Sequence, residues 1–247
     1  MDVMEMINKG EILSSNKKVY NDLYTEKKGF LRYPADWIAR FHNMYLKENL
    51  PTGKVLDYGC GSGNNSMFFI DKGYDVYGVD VAESATALIK ENLLARHYDP
   101  GLVDRFSIMT PDSTSLPYKD SFFDLIISNQ VLYYLPTQAH INAVCKELSR
   151  CLRPGGIVFF TMMGPKNYYI TRWTKKVHDN RVHEVIIDDP KHRLNGVKEL
   201  VYLIKDEEDL RSTFSEFKAL DIGYFDQKMF DLTSNFHWIF IGQKPTR

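Results

Sequence analysis

The chain is short of three things, and each shortage excludes a class of protein. Cysteine is rare: Cys60, Cys145 and Cys151 are the only three in 247 residues. An odd number without metal-finger spacing rules out a disulfide scaffold and makes a reducing compartment, the cytoplasm, the expected location. Charge of one sign is also lacking, because 31 Lys and Arg stand against 32 Asp and Glu, for a net charge of −1. The broad basic excess of a nucleic-acid binder is therefore absent, and nucleic acid is not an expected partner. Long apolar runs are missing too. No segment approaches the roughly 18 residues needed to cross a bilayer, so no membrane partner is expected. The opening residues M-D-V-M-E-M-I-N-K-G have neither the basic start nor the apolar stretch of a secretory signal. What remains is an ordinary globular composition, 44% hydrophobic and 26% charged, with one bias: 15 Tyr, 15 Phe and 3 Trp make it 13% aromatic.

Periodicity divides the chain. Residues 1–50 read as a polar helical cap threaded by Tyr20, Tyr24, Phe30, Tyr33 and Trp37, with apolar residues at helical spacing from Ile38 to Leu50 and a stop at Pro51. From 51 onward short apolar strands alternate with helices. Strands are expected at 54–61 (ending in a glycine loop), 75–80, 105–109, 123–129 and 157–163, helices at 65–72, 84–97 (with Ser84 as N-cap) and 138–152, and a turn at Pro154, Gly155 and Gly156. Such alternation indicates an α/β fold with a parallel sheet and helices on both faces. Residues 165–200 interrupt it. They are polar, contain His178, His183 and His192, and are too long for an ordinary loop, which suggests a substrate-side insert or lid. A helix at 206–214 and two late strands, 218–228 and 237–243, close the chain as a hairpin at the sheet edge. The expected organisation is a cap (1–50) and one catalytic domain (51–247) carrying the insert.

The chemistry begins at V-L-D-Y-G-C-G-S-G, Val55 to Gly63. A glycine loop at the carboxyl end of the first strand lets a ligand approach bare backbone, and the next helix start offers free N–H groups. The spacing is not that of a dinucleotide site, since Asn64 stands where a third glycine should fall. Asp57, just before the loop, would repel a pyrophosphate but attract a ligand's amino group. Asp80 ends the second strand, placed to accept hydrogen bonds from a ribose diol. Asp112 and Ser113, after the third strand, are placed to meet an adenine edge.

Taken in order, D-Y-G-C-G-S-G at 57–63, D-V at 80–81, D-S-T-S-L-P at 112–117, F-D-L-I-I-S-N at 123–129 and L-R-P-G-G at 152–156 resemble the class I S-adenosylmethionine-dependent methyltransferases, small-molecule type. The resemblance implies a Rossmann-like, doubly wound, seven-stranded sheet with its last strand antiparallel. It implies S-adenosylmethionine as donor and S-adenosylhomocysteine as product. It also implies roles: Asp57 with the Gly59–Cys60–Gly61 backbone for the methionine part, Asp80 for the ribose with Val81 beside the adenine, Asp112 and Ser113 for the adenine edge, and Asn129 near the sulfonium through its carbonyl. The family's nucleic-acid amino methylases carry an Asn/Asp-Pro-Pro-aromatic motif after the fourth strand. Here that segment is N-Q-V-L-Y-Y-L, without that motif, so base N-methylation of nucleic acid loses support; it also departs from the many small-molecule members that carry a His pair there, having Tyr133 and Tyr134 instead.

Methyl transfer from a sulfonium is an in-line displacement in which alignment and exclusion of water matter most, and an oxygen acceptor also calls for a base. Tyr133, Tyr134, His140 and His178 are the candidates for that work. Tyr20 and Tyr24 are candidates for closing over the donor, and Tyr33, Trp37, Arg172, Trp173, Arg181 and Arg193 for meeting the acceptor. The insert holds eight Lys or Arg against five acids between Lys166 and Glu199, which would suit an anionic acceptor. The three insert histidines, with Asp188 and Asp189 near, match no metal-ligand spacing, and no metal is expected. An RNA or protein methyltransferase is the alternative enzyme. A donor-binding regulatory or scaffold subunit without turnover is the alternative outside catalysis. The sequence leaves the acceptor atom and the oligomeric state open.

Overall fold

The computed structural model describes residues 16–27, 32–178, 180–192, 194–228 and 234–246. A helix over 16–25 (α1) precedes α2 (Asp36–Phe41), a π-helical turn (His42–Leu46) and a last turn α3 (Lys47–Asn49). The alternating region follows as β1 (Lys54–Tyr58), α4 (Asn64–Asp71), β2 (Asp75–Asp80), α5 (Ala85–Ala95), β3 (Phe106–Ile108), β4 (Phe123–Ser128), α6 (Gln138–Cys151) and β5 (Leu152–Met163). Next come α7 (Tyr168–Trp173), β6 (Thr174–His178), β7 (Val182–Ile186), β8 (Lys198–Tyr202), α8 (Glu207–Thr213), β9 (Lys218–Phe225) and β10 (His237–Gln243).

Seven strands form the main sheet in the order β3-β2-β1-β4-β5-β10-β9. β1 to β5 are parallel neighbours, and β10 runs antiparallel between β5 and β9. This is the expected doubly wound, Rossmann-like sheet with its last strand reversed. Strand alternation distributes the core over two faces. Leu56, Ile126, Val158 and Phe160 join one cluster with Ile141, Val144 and Leu148 of α6. Val55, Leu125, Ile127 and Phe159 join the other with Ile38 and Phe41 of α2, Met67 and Phe69 of α4, and Ile89 and Leu93 of α5. Strands buried on both sides read as nearly continuous apolar runs, which is how β4 and β5 read here.

Three local expectations are corrected. Ser84 stands at the N-cap of α5 without capping it; its hydroxyl donates to the Asn21 carbonyl and so ties α1 to α5. Pro154 to Gly156 do not form a separate turn before the fifth strand. They lie inside β5, where the pairing with β4 shifts register and the Gly155 N–H donates to the Lys244 carbonyl. The stretch 165–200 has regular structure despite its weak periodicity. β6, β7 and β8 make a three-stranded antiparallel sheet whose Val182, Val185, Leu200 and Val201 enter the α6-side core. The Ile204 N–H then donates to the Met163 carbonyl, returning the chain to the point where it left β5.

Phe160 sits at the centre of this core, fully buried, with its ring 5.0 Å from Phe214 and 5.7 Å from Phe217. Phe160→Ala should lower unfolding free energy by about 3–5 kcal/mol, because the sheet backbone cannot collapse into the hole. Urea unfolding followed by circular dichroism checks this.

Candidate active site

The carboxyl ends of β1, β2 and β4 open into a cavity of about 410 Å³. Its floor is the glycine loop. Gly59, Gly61 and Gly63 all have left-handed φ values, +78°, +52° and +79°. Any other residue is strained at the first two: a Cβ on Gly59 would lie 2.3 Å from Val131, and one on Gly61 would lie 2.5 Å from the Tyr24 hydroxyl. The Gly59 and Cys60 N–H groups both donate to the Val79 carbonyl, which fastens the loop to β2. The Asp80 carboxylate then accepts the Gly61 N–H at 2.8 Å on one oxygen and the Ala82 N–H at 2.8 Å on the other. Burial raises its pKa, and these backbone donors work against the rise. Each oxygen keeps a lone pair, enough for the two hydroxyls of a ribose.

Asp57 lies beneath the loop rather than in the cavity wall. It is 1% exposed and accepts the Ser66 hydroxyl at 2.6 Å. Burial pushes its carboxyl up to about 7, with Ser66 holding it down and Asp80 adding to the rise. Asn64, in place of a third glycine, donates from its amide to the Tyr33 carbonyl, and Asn65 accepts the Ala35 N–H. The loop and the N-terminal cap are thereby joined.

The remaining lining comes from four other places. Tyr20, Tyr24 and Lys17 of α1 form one wall, with Lys17 paired to Glu83. Val81, Thr110, Pro111 and Ser113 line the side that follows β2 and β3. Asn129, Gln130, Tyr133 and Tyr134 follow β4, with Gln130 held at a left-handed φ of +60°. Tyr168, Tyr169, Asn235 and His237 close the far end. The Tyr20 hydroxyl donates to the Tyr134 oxygen at 2.5 Å. Burial raises the pKa of Tyr20, Tyr133, Tyr134 and Tyr169, so all four stay protonated.

The structure thus gathers Tyr20, Tyr24, Gly59, Cys60, Gly61, Asp80, Val81, Ser113, Asn129, Tyr133 and Tyr134 around one cavity. It leaves other candidates outside. Asp112 is exposed and does not line the cavity; half-buried His140 is near enough to feel its charge. His178 is 3.5 Å from Glu184 in the small sheet, away from the cavity. Tyr33 is 81% exposed and contributes only its carbonyl. Trp37 is held behind the wall, donating its indole N–H to the Asn129 side-chain oxygen at 2.7 Å and stacking on Phe225 at 3.5 Å. Trp173 is buried against Tyr168, Tyr169 and His192. Arg172 is exposed over the Trp173 ring. The Arg181 guanidinium donates to Asp209 and to the Tyr202 hydroxyl. Arg193 lies outside the described residues. Among the described residues no cluster of His, Cys, Asp and Glu could hold a metal, and no helix is long and apolar enough to cross a membrane.

Two groups appear that sequence reasoning did not single out. His237, at the start of β10, lines the cavity and is 2% exposed. Its Nδ1 donates to the Asn235 carbonyl at 3.1 Å, which makes Nε2 an acceptor, approached by the Gln130 amide at 3.5 Å. Burial lowers its pKa to about 4, so the ring is neutral at physiological pH. Glu199 of β8 stands behind the tyrosines and is 1% exposed. Neither residue sits in a motif. Glu199 at least carried a signal, an acid inside the apolar run E-L-V-Y-L-I.

A doubly wound sheet with a bare glycine loop after its first strand and an acid ending its second is a nucleoside-binding frame. Residues 56–160 match the family model described as a methyltransferase domain. The tRNA (carboxymethyluridine(34)-5-O)-methyltransferase of Arabidopsis thaliana is 32% identical over 136 residues, covering 51% of this chain and 29% of that protein. The malonyl-[acyl-carrier protein] O-methyltransferase of Enterobacter lignolyticus is 28% identical over 130 residues, covering 53% and 47%. Among solved structures, the 1,6-didemethyltoxoflavin-N1-methyltransferase of Burkholderia thailandensis, with 1,6-didemethyltoxoflavin and S-adenosylhomocysteine bound, aligns with a TM-score of 0.63 at 14% identity, covering 96% of this chain and 90% of that one. The chain spans between 29% and 51% of the length of the first curated relatives it matches. Residues 56–160 thus carry a methyltransferase domain, on a fold shared with S-adenosylmethionine-dependent methyltransferases of known structure.

The buried Asp57 gives a prediction of sign. Its pKa is about 7 in the fold against an ordinary value of 3.8, so its contribution to stability is complete below pH 4 and is lost as pH rises through 7. Asp57→Asn keeps a hydrogen-bonding group for Ser66 and cannot ionise. Relative to wild type, the variant should gain more than about 1 kcal/mol in stability between pH 5 and pH 8, measured by urea unfolding across that range.

Proposed function

We propose that this protein transfers a methyl group from S-adenosylmethionine to a small-molecule acceptor, releasing S-adenosylhomocysteine. The observation that carries the reading is the continuity of the cavity, from the glycine loop and Asp80 at one end to a closed aromatic chamber at the other. The donor end fits a nucleoside with an amino-acid tail. The Gly59–Cys60–Gly61 loop lines this end, where it meets the tail, Asp80 has lone pairs for a diol, and Val81 and Ser113 flank the adenine position. Asp57 supports the loop from below, and Asp112 has no direct place in the contact. Asn129 presents its carbonyl at the junction of the two ends, its side chain fixed by Trp37.

When bound, the donor supplies a sulfonium methyl that is already activated. The chain's part is to orient the acceptor and keep out water, and the tyrosines of α1, of the turn after β4 and of α7 do both. Neutral His237 offers its Nε2 as a hydrogen-bond acceptor for an X–H group. Residues 1–50 serve as a cap over the donor and the 165–200 insert as a lid over the acceptor, since Tyr20, Tyr24, Tyr168 and Tyr169 reach the cavity from these segments. Three buried free thiols suit a cytoplasmic setting. An RNA acceptor, as in the tRNA-modifying relative, is less well supported: Lys17 is the one Lys or Arg that lines the cavity among the described residues, and Glu83 already pairs it.

Calorimetry with S-adenosylhomocysteine tests the donor end. Wild type should bind with one site per chain. Asp80→Ala should weaken binding by a factor of about ten or more, since it removes the diol acceptors and frees the Gly61 N–H from its anchor. Absence of binding by folded wild type would sink the reading.

A further inference from the structure

The acceptor chamber is walled by aromatic side chains, and a buried acid stands behind them. Eight Lys or Arg lie between Lys166 and Glu199, yet none lines the cavity among the described residues. Arg181 is held by Asp209 and Tyr202, Lys198 by Glu184, and Arg172 faces outward. The group that the insert does bring close is Glu199. Both of its carboxylate oxygens are buried and lack a hydrogen-bond partner among the described residues. The Tyr134 hydroxyl approaches as a donor but stops short of full bonding geometry. Tyr20 donates to Tyr134, so the Tyr134 proton is left for the two acceptors beside it, Glu199 and the Tyr133 oxygen. The titratable groups that feel Glu199 are Tyr20 of α1, Tyr133 and Tyr134 after β4, and Tyr169 of α7, all of them cavity-lining and protonated. No cationic side chain among the described residues pairs with it.

A buried carboxylate with no cation of its own is costly to keep ionised, and the arrangement makes sense if a ligand supplies the charge. Tyrosine faces around a cation add attraction from their π-systems. We propose that the acceptor is an amine that arrives as an ammonium ion, recognised by the tyrosine cage and by the carboxylate of Glu199 acting through Tyr134. This rests on the methyltransferase reading and narrows its acceptor.

The step balances. The ammonium proton passes to the Tyr134 oxygen as the Tyr134 proton passes to Glu199. The freed nitrogen lone pair forms the new N–C bond to the methyl group, and the C–S bond breaks with its electron pair going to sulfur. The methylated amine leaves as its ammonium form, and Glu199 returns one proton to solvent. Glu199 is a positioning residue here, since Tyr134 stands between it and the substrate. Burial holds its carboxyl near 7. The cation preference should therefore be weak at pH 6, where the acid is largely protonated, and strong at pH 8, where it is ionised.

The test uses the full chain saturated with S-adenosylhomocysteine and three probes of similar size: n-butylamine, n-butanol and butyrate. Saturation-transfer NMR titrations give their affinities. At pH 8 wild type should prefer butylammonium to butanol by about tenfold and should disfavour butyrate. The preference should shrink at least threefold at pH 6, although butylamine stays protonated. Glu199→Gln should bind S-adenosylhomocysteine as wild type does and lose both the preference and its pH dependence. Equal binding of the three probes by wild type, or a preference that survives in Glu199→Gln, overturns the proposal. The wild-type pH series decides the matter alone if Glu199→Gln does not fold. Loss of S-adenosylhomocysteine binding by wild type would instead strike at the methyltransferase reading itself.

Discussion

Two backbone N–H groups, those of Gly61 and Ala82, converge on the carboxylate of Asp80. The rest of the site depends on that convergence. It sets the glycine loop of β1 at a fixed height over the end of β2, and it orients a charged group that burial alone would disfavour. The loop in turn lies there because Gly59 and Gly61 carry no side chain, since Val131 and the Tyr24 hydroxyl occupy the volume a Cβ would need at those two positions. The contact is reciprocal: bare backbone lets Tyr24 approach, and that approach brings α1 close enough for Tyr20 to reach Tyr134. One carboxylate thus positions the donor end and, through the loop, the first wall of the acceptor end.

The two ends are built on different principles. The donor end is mainly backbone, held by hydrogen bonds between adjacent strands, so its geometry follows from sheet register. The acceptor end is side chains from α1, the turn after β4, α7, β8 and β10, elements that meet only once the small sheet β6-β7-β8 has docked on the α6-side core. Trp37, Phe225, His237 and Tyr133 form a continuous aromatic series from the outer cap to the cavity. A change in the cap can therefore be felt at His237 without touching the ligand. The aromatic surplus of the composition is largely accounted for by this series, by the tyrosine walls and by the phenylalanines of the two cores.

This difference explains what could be read in the sequence. Asp57 to Gly63, Asp80, Ser113 and Asn129 were legible because each sits at a strand end, and strand ends follow from apolar runs of a few residues. Their partners are also local, so the motif carries its own geometry. Tyr20, Tyr24, Tyr133 and Tyr134 were legible as aromatics near such motifs. The insert arginines misled because a charge in a polar stretch says nothing of its partner: Asp209, which holds Arg181, is 28 positions away on α8. His237 and Glu199 were missed for the mirror reason. Each stands at or next to the start of a short strand and outside any motif, and the pairing of β10 with β5 and of β8 with β7 places them near the cavity.

The charge pattern of the insert follows from the same logic. Its cations, among the described residues, are open to water or meet acids: Lys166, Arg172, Lys175, Lys176 and Lys191 are exposed, Arg181 pairs with Asp209 and Lys198 with Glu184. Its one buried acid among the described residues is Glu199, and no described cation pairs with it. A sheet that tucked an unpaired carboxylate against its own core for structural reasons alone would do better with glutamine or leucine at that position, since either avoids the desolvation of an ion. Carboxylate chemistry at residue 199 gains its advantage only when something positively charged, or a proton in transit, occupies the chamber that the tyrosines enclose. The insert therefore carries two separate charge systems, a surface one that keeps it solvated and an interior one directed at the ligand.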